Sequence, residues 1–475
     1  MNKLVQEGQS IDRKARMKLQ SKGFPLRPAG ERVCDFEDAL DQMDADRARH
    51  EAARCIHCPD PAPCYKVCPA HNDISKALWL IEQGEFNAAA AIYRKTSSMP
   101  EICGRVCPHD QLCQGACVRN KNGEPVLTGL LESFVTEFDR RTAGVEIPVP
   151  YPTGRKVAVI GAGPAGLTCA EQLVRRGHWV TIFDSKPTPG GLLIYGIPNF
   201  KLPKSIVASW CQDLERAGVK FIGNTTIGKT KTINQLFADG YEAVFVGAGA
   251  GVDAAMGIPG ENLPGIYKAT EFLIRTNVAE SMLPPGMPPL SRVGKHVVVI
   301  GGGDTASDCL RSALRLRAER VTCLYRRTEN EMPGNTHDRQ LAREEGAQFH
   351  YLTQPVEFIA GKNGRLAQVA CIRMELGEPD ERGRRRPVPV ENSNFIVEAD
   401  TAVLALGYSP DPIIGATTPG LRTHKWGLII SDPETGTTSR MGVFVGGDIV
   451  TGPNMVVTAM VAGRKAAVTI DAYLY

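Results

Sequence analysis

Short apolar runs separated by glycine-rich loops dominate the chain after residue 150 and predict alternating strands and helices. Lys156 is followed by the apolar run VAVI, a glycine loop and a segment with helical spacing. The same order returns about 140 residues later, with VVVI after His296, another glycine loop and a helical segment through Leu316. A uniformly apolar run before a glycine loop is typical of a buried parallel strand. The pattern therefore predicts a duplicated βαβ unit.

The first 150 residues have a different pattern, which predicts helices. Apolar residues recur at helical spacing from Phe36 to about Arg141, and the segment Ser75–Lys95 predicts two helices separated near Gly84. Prolines and a glycine at 148–154 predict a linker after this region.

Strand-like segments after each copy indicate that one domain is inserted in the other. YEAVFVGAGA follows the first copy and ADTAVLALGY the second, and the chain ends on a predicted strand, turn and helix. We expect an α/β fold with a helical domain at 1–150, a first nucleotide-binding domain at 151–290 and 400–475, and a second at 291–399, inserted in the first.

Composition narrows the function classes without selecting one. The 475 residues are enough for two to four domains, and a net charge of +3 does not indicate a nucleic acid or membrane partner. No run approaches the roughly 20 apolar residues of a membrane-spanning helix, and the N-terminus lacks the apolar stretch of a secretory signal. We expect a cytoplasmic protein.

The first glycine loop, Gly161-x-Gly163-x-x-Gly166, has the spacing that binds a dinucleotide. The first glycine permits a tight turn, the second lets the backbone approach the pyrophosphate and the third lets the helix pack on the strand. Asp184 ends the next strand, where an acid accepts hydrogen bonds from an adenosine ribose. The alternative is a glycine-rich turn in an unrelated α/β fold.

The second loop, 301–306, differs at the acidic position. Aligning VTIFDSK with VTCLYRR places Tyr325 where Asp184 stands, followed by Arg326 and Arg327. Loss of the acid and gain of two guanidinium groups suit a ribose 2′-phosphate, so we expect this site to prefer NADPH. The alternative is that the two arginines form surface ion pairs.

Two dinucleotide sites in one chain suggest one bound flavin and one exchangeable nicotinamide. The C-terminal sequence Gly446-Gly447-Asp448 fits a flavin site, in which Asp448 would bond a ribityl hydroxyl. The helix after Pro453 would point its positive end at the flavin N1/C2 carbonyl. A strand, turn and helix with a capping Asp is the plainer interpretation.

Nine of the fourteen cysteines lie in the first 117 residues, and eight of them form two dense runs. Iron–sulfur clusters take four ligands each, and in two-cluster ferredoxins the fourth cysteine of a run serves the other cluster. We therefore expect Cys68, from the first run, to bind the cluster of the second run, and Cys117, from the second run, to bind the cluster of the first. Structural zinc and plain buried thiols are the alternatives. The runs are Cys55-x2-Cys58-x5-Cys64-x3-Cys68 and Cys103-x3-Cys107-x5-Cys113-x3-Cys117.

Six segments carry a resemblance that covers about residues 30–475. The chain resembles the small (β) subunit of NADPH-dependent glutamate synthase, the N-terminal part of dihydropyrimidine dehydrogenase, and the large subunit of NADH-dependent ferredoxin:NADP⁺ oxidoreductases, with sulfide dehydrogenases close by. The segments are CGRVCPHDQLCQGAC (103–117), GAGPAGL (161–167), PGGLLIYGIPNFKLP (189–203), GGGDTASD (301–308), YRRTENEMPG (325–334) and GDIVTGPNMVVTAMVAGRKAA (447–467).

The resemblance implies one FAD, one NADPH site and two 4Fe–4S clusters, one held by Cys55, Cys58, Cys64 and Cys117. The other takes a carboxylate from the segment LESF as its fourth ligand, and Cys103 is then a buried non-ligand. The wider gap before Cys64 departs from the commonest family spacing. The ligands of the second cluster are Cys68, Cys107, Cys113 and Glu132.

The expected cofactor-binding residues lie in the two loops, in the segment PGGLLIYGIP that would line the flavin, and near the C-terminus. They are Gly161, Gly163, Pro164, Ala165, Gly166, Asp184, Gly190, Gly191, Leu192, Gly196, Gly247, Gly301, Gly303, Asp304, Thr305, Ala306, Arg326, Arg327, Gly407, Gly447, Asp448, Asn454, Met455 and Val456.

These expectations describe an NADPH-oxidising electron-transfer flavoprotein with no catalytic acid or base, because hydride transfer between NADPH and FAD needs positioning above all. Electrons would pass singly through the clusters to a large catalytic subunit of the glutamate synthase type, docked on the N-terminal domain, and we expect an oligomer. The same module would alternatively serve ferredoxin, sulfide or polysulfide, or a pyrimidine. A zinc-bearing scaffold protein is the interpretation from a different class.

Overall fold

The computed structural model describes residues 11–121, 123–379 and 385–475. Its N-terminal part is built from helices that surround one hydrophobic core, to which Leu78, Ile81, Tyr93, Leu131 and Val135 contribute. The helices are α1 (Arg13–Lys18), α2 (Ala29–Arg32), α3 (Ala45–Ala53), α4 (Pro63–Val67), α5 (Ile74–Gln83), α6 (Phe86–Arg94), α7 (Pro100–Val106) and α8 (Thr128–Thr142).

The predicted break between two helices at Gly84 is confirmed. Asp73 caps the start of α5 by accepting a hydrogen bond from the backbone N–H of Lys76. Gly84 ends the helix in the left-handed region with a φ of 83°, a conformation that glycine adopts without steric cost. The apolar face of α5 is buried against the core, whereas Lys76 and Gln83 lie toward solvent.

After the linker the chain alternates between strands and helices. The first group of elements is β1 (Lys156–Ile160), α9 (Pro164–Val174), β2 (Trp179–Phe183), α10 (Leu192–Tyr195), α11 (Lys204–Arg216), β3 (Lys220–Ile222), α12 (Ile233–Ala238) and β4 (Ala243–Val246).

The second group repeats the strand, loop and helix order and adds antiparallel strands. It comprises β5 (Val252–Asp253), β6 (Ile266–Lys268), α13 (Ala269–Asn277), β7 (His296–Ile300), α14 (Asp304–Arg315), β8 (Arg320–Leu324), α15 (Thr336–Glu344), β9 (Gln348–His350), β10 (Thr353–Ala360), β11 (Leu366–Pro379), β12 (Arg385–Pro389), β13 (Phe395–Glu398), β14 (Thr401–Leu404) and β15 (Tyr408–Ser409). The chain closes with α16 (Ile413–Thr417), β16 (Val443–Val445), α17 (Asp448–Thr451) and α18 (Val456–Leu474).

Two parallel sheets form the centre of this α/β architecture. The first has the strand order β16-β4-β1-β2-β3 and the second β6-β14-β7-β8-β9. Residues 157–160 and 297–300 are buried throughout, as expected of strands with both faces covered. Because the late strand β16 returns to the first sheet, the second sheet is inserted in the chain of the first. Strands β6 and β14 belong to the second sheet, yet they lie just outside the predicted range 291–399, one before it and one after it. The exact domain boundaries stay a prediction.

Helix α18 packs along α9 with very close backbone contact. A Cβ at Gly463 would lie 2.2 Å from the carbonyl oxygen of Ala165 and 3.2 Å from the backbone nitrogen of Cys169. Met460, Ala466 and Ala467 of α18 are buried in the same hydrophobic core as Leu167 and Cys169 of α9. Among the described residues, no helix is long and apolar enough to cross a membrane.

Replacing Gly463 with alanine should destabilise the protein, because the backbone of Ala165 cannot yield as a flexible side chain would. Overpacking costs about 1–3 kcal/mol, against the ~1 kcal/mol that alanine gains over glycine in a helix. Gly30 is the control, since it is helical and nothing lies within 4 Å of its Cβ position. Thermal unfolding should show a lower midpoint for Gly463→Ala alone. Equal midpoints would contradict the close packing of α18 on α9.

Candidate functional site

One cleft of about 1340 Å³ is bordered by all three parts of the chain. Residues 301–305 enter it from the second sheet, Leu192 and Gly196 from the segment after the first glycine loop, and Cys107 from the helical N-terminal part. Single-ligand pockets typically measure about 300–1000 Å³. The cleft therefore has room for more than one ligand.

The first glycine loop joins β1 to α9 through close backbone contacts. Gly161 has a φ of 96°, and a Cβ on it would lie 2.4 Å from the carbonyl oxygen of Gly247. A Cβ on Gly166 would lie 1.9 Å from the carbonyl oxygen of Gly161. By contrast, the Cβ position of Gly163, which caps α9 just before Pro164, has nothing within 4 Å. This open space at a helix N-terminus suits a phosphate group.

Asp184 holds this loop in place from the end of β2. Its carboxylate accepts hydrogen bonds from the backbone N–H groups of Ala162 at 2.6 Å and Lys186 at 2.7 Å. Burial raises the pKa of the carboxyl group. Carboxylate oxygens accept several hydrogen bonds, so a ribose hydroxyl here would be an additional partner. Sequence reasoning missed the loop-shaping contact with Ala162.

The segment PGGLLIYGIP lies against the first loop. The backbone N–H of Gly190 donates to the carbonyl of Ala162 at 2.9 Å. A Cβ on Gly191 would lie 2.7 Å from the Cα of Gly163, and the φ angles of Gly190 and Gly191 are 131° and 52°. Both positions therefore require glycine, and they carry the chain from the loop to the cleft wall at Leu192 and Gly196.

The second glycine loop repeats the geometry of the first. A Cβ on Gly301, which has a φ of 148°, would lie 2.1 Å from the carbonyl oxygen of Ala405. Gly303 caps α14 and again has open space at its Cβ position. Thr305 accepts a hydrogen bond from Tyr408 at 3.3 Å, and Ala306 is buried. Asp304, Thr305 and Gly407 all border the cleft.

Residues 333–335 cover this second loop from the side. The backbone N–H of Gly334 donates to the carbonyl of Gly302 at 3.1 Å, and that of Asn335 donates to the carboxylate of Asp304 at 2.6 Å. The amide of Asn335 also donates to Asp110 of the N-terminal part at 3.1 Å. The hydrogen bonds to Gly302 and Asp304 thus attach the segment YRRTENEMPG to the second glycine loop.

Arg326 and Arg327 border the cleft just after β8. Arg326 is exposed, and the guanidinium of Arg327 donates to the carbonyl of Arg385 at 3.0 Å. Within residues 11–121, 123–379 and 385–475, neither arginine forms an ion pair. Among those residues the structure therefore gives no support to the alternative that the two arginines form surface ion pairs. Tyr325 borders the same cleft, and its hydroxyl donates to the carbonyl of Glu331 at 2.7 Å.

The C-terminal segment forms another wall of the cleft. Gly447 has a φ of 79° and places Asp448 at the start of α17. One carboxylate oxygen of Asp448 is buried without a hydrogen-bond partner among the described residues, and burial raises its pKa to about 6. A hydroxyl-bearing ligand would satisfy this oxygen. Asn454, Met455 and Val456, at the start of α18, border the same space.

Four of the cysteines form a first thiol group, defined as Cys55, Cys58, Cys64 and Cys117. All four border one small cavity, which Cys113, Leu78 and further apolar residues also line. Burial raises the pKa of Cys55 and Cys64 to about 12, and the neighbouring thiols add to the shift. Thiols in such surroundings are held as thiolates only when a metal binds them.

A second donor group consists of Cys68, Cys107, Cys113 and Glu132. Cys68 and Cys107 each interact electrostatically with Glu132, and Cys113 interacts with both Glu132 and Cys68. Glu132 is 7% exposed on α8, and its carboxylate accepts a hydrogen bond from Asn72 at 3.2 Å. It has no cationic partner in the described part of the chain. A buried carboxylate of this kind fits a metal ligand.

Cys103 lies beside the second donor group and competes for the role of fourth ligand. It is 3% exposed, and a hydrogen bond between its side chain and that of Cys107 is the main cause of the raised pKa of Cys107. With Cys103, five donors surround the four ligand places of the second group, and both Glu132 and Cys103 are close enough to interact with Cys107.

The N-terminal part also contributes cleft residues that sequence reasoning missed. His109 and Asp110 border the cleft directly after Cys107, and Phe24 packs edge-on against His337 at 5.1 Å. Phe200 and Lys201 border it from the segment before α11. His109 and Asp110 lie inside the cysteine motif, and Phe200 and Lys201 lie inside the segment 189–203, so both pairs had a sequence signal. The contact of Phe24 had none, because it depends on how the parts pack together.

Two family models cover most of the chain. The model for dihydropyrimidine dehydrogenase domain II with a 4Fe–4S cluster matches residues 32–143. The model for pyridine nucleotide-disulphide oxidoreductases matches residues 155–463. The boundary between them falls in the predicted linker.

Similar proteins include subunits of larger enzymes. The glutamate synthase (NADPH) small chain of Halomonas elongata is 41% identical over 456 residues, which is 94% of this chain and 95% of that protein. The beta subunit of the NADP(+)-dependent formate dehydrogenase of Moorella thermoacetica is 39% identical over 437 residues, which is 87% of this chain and 60% of that protein.

Among solved structures, Mycobacterium tuberculosis FprA in complex with NADPH matches with a TM-score of 0.56 and 22% identity. The match covers 68% of this chain and 84% of FprA, and it shows a shared fold. The chain therefore belongs to the pyridine nucleotide-disulphide oxidoreductases and, with its N-terminal 4Fe–4S domain, to the family that contains the small chain of NADPH-dependent glutamate synthase.

Proposed function

We propose that the protein is an NADPH-oxidising electron-transfer flavoprotein of the glutamate synthase small-chain type, with one FAD and two 4Fe–4S clusters. The single cleft shared by the second glycine loop, the C-terminal segment and Cys107 is the observation that carries this proposal. When bound, FAD would take two electrons and a proton from NADPH, which leaves as NADP⁺, and the clusters would release the electrons singly.

The second glycine loop would bind NADPH. The open N-terminus of α14 at Gly303 would receive the pyrophosphate. Arg326 and Arg327 would bond the 2′-phosphate, which is supported by their place on the cleft wall and by the exposure of Arg326. Thr305 and Gly407 lie further along the wall.

The first loop and the C-terminal segment would bind FAD. Gly163 offers the open helix N-terminus for the pyrophosphate, and Asp184 lies where the adenosine ribose would be. The unpartnered oxygen of Asp448 would accept a hydrogen bond from the ribityl chain. The N-terminus of α18 at Val456 would direct its positive end toward the flavin ring.

The two donor groups differ in their distance from the cleft. Cys107, of the second group, borders the cleft itself, whereas the first thiol group surrounds a separate cavity between α4, α5 and the start of α8. The second cluster would therefore accept electrons from the flavin, and the first would pass them to a partner on the N-terminal part.

The partner would be a large catalytic subunit, as in glutamate synthase. The similarity to the Halomonas small chain over nearly the full length of both proteins supports this choice. A comparable similarity to a formate dehydrogenase subunit favours a second candidate, in which the same module serves another acceptor such as ferredoxin. Copurification from the native source separates the two: a bound amidotransferase subunit supports the first, and its absence from an active preparation supports the second.

Replacing Arg326 and Arg327 together with alanine should raise the KM for NADPH roughly tenfold or more, because charge-assisted hydrogen bonds to the 2′-phosphate are lost. The KM for NADH, which lacks that phosphate, should change little. Initial rates of dye reduction with each nucleotide test this, with Arg422→Ala, an exposed arginine between α16 and β16, as the control. Equal effects on NADPH and NADH would remove the assignment of the two arginines.

Replacing Glu132 with alanine should cost the protein the second cluster, which is about half of the iron and sulfide expected of two 4Fe–4S clusters. Cys103→Ala should keep the full content, because Cys103 is proposed to be a non-ligand. Iron, acid-labile sulfide and flavin are measured in anaerobically purified protein. Full iron content in Glu132→Ala together with a loss in Cys103→Ala would transfer the ligand role to Cys103.

A further inference from the structure

The loop of residues 199–201, between α10 and α11, is where the three parts of the chain meet. The amide of Asn199 donates to the carbonyl of Phe36 at 2.8 Å, and the backbone N–H of Ala39 donates to the carbonyl of Phe200 at 3.0 Å. Both of these partners belong to the N-terminal part. The Lys201 side chain reaches the part that contains the second sheet, and the Phe200 ring lies between that part and Phe36, whose ring centroid is 6.3 Å away.

Lys201 joins the loop to two carboxylates of that part. Its ammonium nitrogen lies 3.0 Å from Asp308 on α14 and 2.7 Å from Asp338 on α15. The side chains of Lys201, Asp308 and Asp338 are only 15%, 8% and 16% exposed. Charged side chains that are so little exposed to solvent are stable only when they are paired with a group of opposite charge. The Lys201 ammonium therefore holds α14 and α15 against the flavin-side loop.

Phe200 forms a second contact across the same interface. Its ring is 1% exposed and lies beneath two guanidinium groups of α14, at 4.5 Å from Arg311 and 3.9 Å from Arg315. An aromatic face attracts a cation in this arrangement.

The guanidinium groups above Phe200 are themselves fixed. Arg311 and Arg315 pair with the buried carboxylate of Glu345 at 2.8 and 2.6 Å. Arg32 of the N-terminal part, 2% exposed, reaches the same carboxylate at 3.1 Å. The loop thus contacts a network to which all three parts contribute charges.

This junction lies on the wall of the cleft. Phe200, Lys201, Asp308, Arg311 and Asp338 all border the cleft. Asp308 is one helical turn beyond Asp304, which lies at the proposed pyrophosphate site. The loop itself follows Leu192 and Gly196 of the proposed flavin wall, so a small movement at the junction changes how the two nucleotide sites face each other.

We propose that Phe200 and Lys201 are positioning residues that hold the NADPH-binding part in the orientation in which the nicotinamide meets the flavin. This inference rests on the proposed function. Neither residue is expected to exchange protons or electrons with the substrate. Hydride transfer depends steeply on distance and alignment, and a displacement of about 1 Å can cost about a hundredfold in rate. Loss of the junction should therefore slow hydride transfer more than it weakens NADPH binding.

The test uses the full-length holoprotein and anaerobic stopped-flow measurement of flavin reduction by NADPH. In Lys201→Met the limiting rate at saturating NADPH should fall about tenfold to a hundredfold, and the Kd for NADPH should stay within about threefold. Phe200→Leu keeps an apolar side chain but loses the ring face, and it should show the same separation. Lys295→Met removes an exposed lysine paired with Glu319 of the same part, and it should behave as wild type.

Three further readouts separate positioning from a merely structural effect. Lys201→Arg should restore most of the limiting rate. The limiting rate of the double variant Lys201→Met, Asp338→Asn should be close to that of Lys201→Met alone, because both substitutions break the same ion pair. Reduction of the flavin and clusters by dithionite should be unchanged in all variants.

The inference fails if Lys201→Met keeps a limiting rate within about twofold of wild type while it binds FAD fully. It also fails if the rate falls only in proportion to lost FAD, or if Lys201→Arg is as slow as Lys201→Met. Wild-type protein whose flavin NADPH does not reduce would overturn the proposed function itself, which is a different result.

Discussion

The proposed hydride transfer requires two rings in direct contact. The second glycine loop borders one cleft together with Leu192, Gly196 and Asp448, and Gly190 and Gly191 connect the first glycine loop to that cleft wall. In both loops the first glycine, Gly161 or Gly301, lies against the carbonyl of the residue that follows a neighbouring strand. The third loop position, Gly163 or Gly303, leaves the helix N-terminus open. The inserted topology, with β16 returning to the first sheet, places the C-terminal segment with Asp448 at the same cleft. The junction of Phe200 and Lys201 then fixes the angle between the two nucleotide-binding parts.

The N-terminal part is organised by a second constraint, the cost of buried ligand groups that lack a partner. Cys55, Cys64 and Cys113 have pKa values raised to about 12 by burial, and the carboxyl of Glu132 also has its pKa raised. Burial keeps these groups protonated. As metal ligands they would lose their protons, and the positive charge of the metal would offset the cost of burying the anions. The match to a family model with a 4Fe–4S cluster favours clusters over single ions. Cys107 also borders the cleft, where reduced flavin would be its neighbour.

Local pattern was sufficient to predict much of this molecule. The break at Gly84, the helix beginning at Pro164, the duplicated βαβ units and the inserted order all follow from apolar periodicity and from glycines at fixed offsets. The contacts of Asp184 with Ala162, of Asn335 with Asp110 and of Phe200 with Arg311 and Arg315 did not follow. The Asp184 contact joins two ends of one βαβ unit, whereas the other two become known only when the parts pack together. The choice of Glu132 over Cys103 as a ligand came from the family resemblance and stays a prediction.

The central claim is that electrons enter this protein in pairs from NADPH and leave singly through iron–sulfur clusters. It is tested most directly by anaerobic titration of the purified protein with NADPH, with the flavin followed by absorbance and the clusters by electron paramagnetic resonance. The account predicts that each chain takes up more than the two electrons of FAD, approaching about four with two clusters, and that cluster signals rise as the flavin bleaches. Flavin bleaching that ends at two electrons per chain, with no cluster signal, would contradict it.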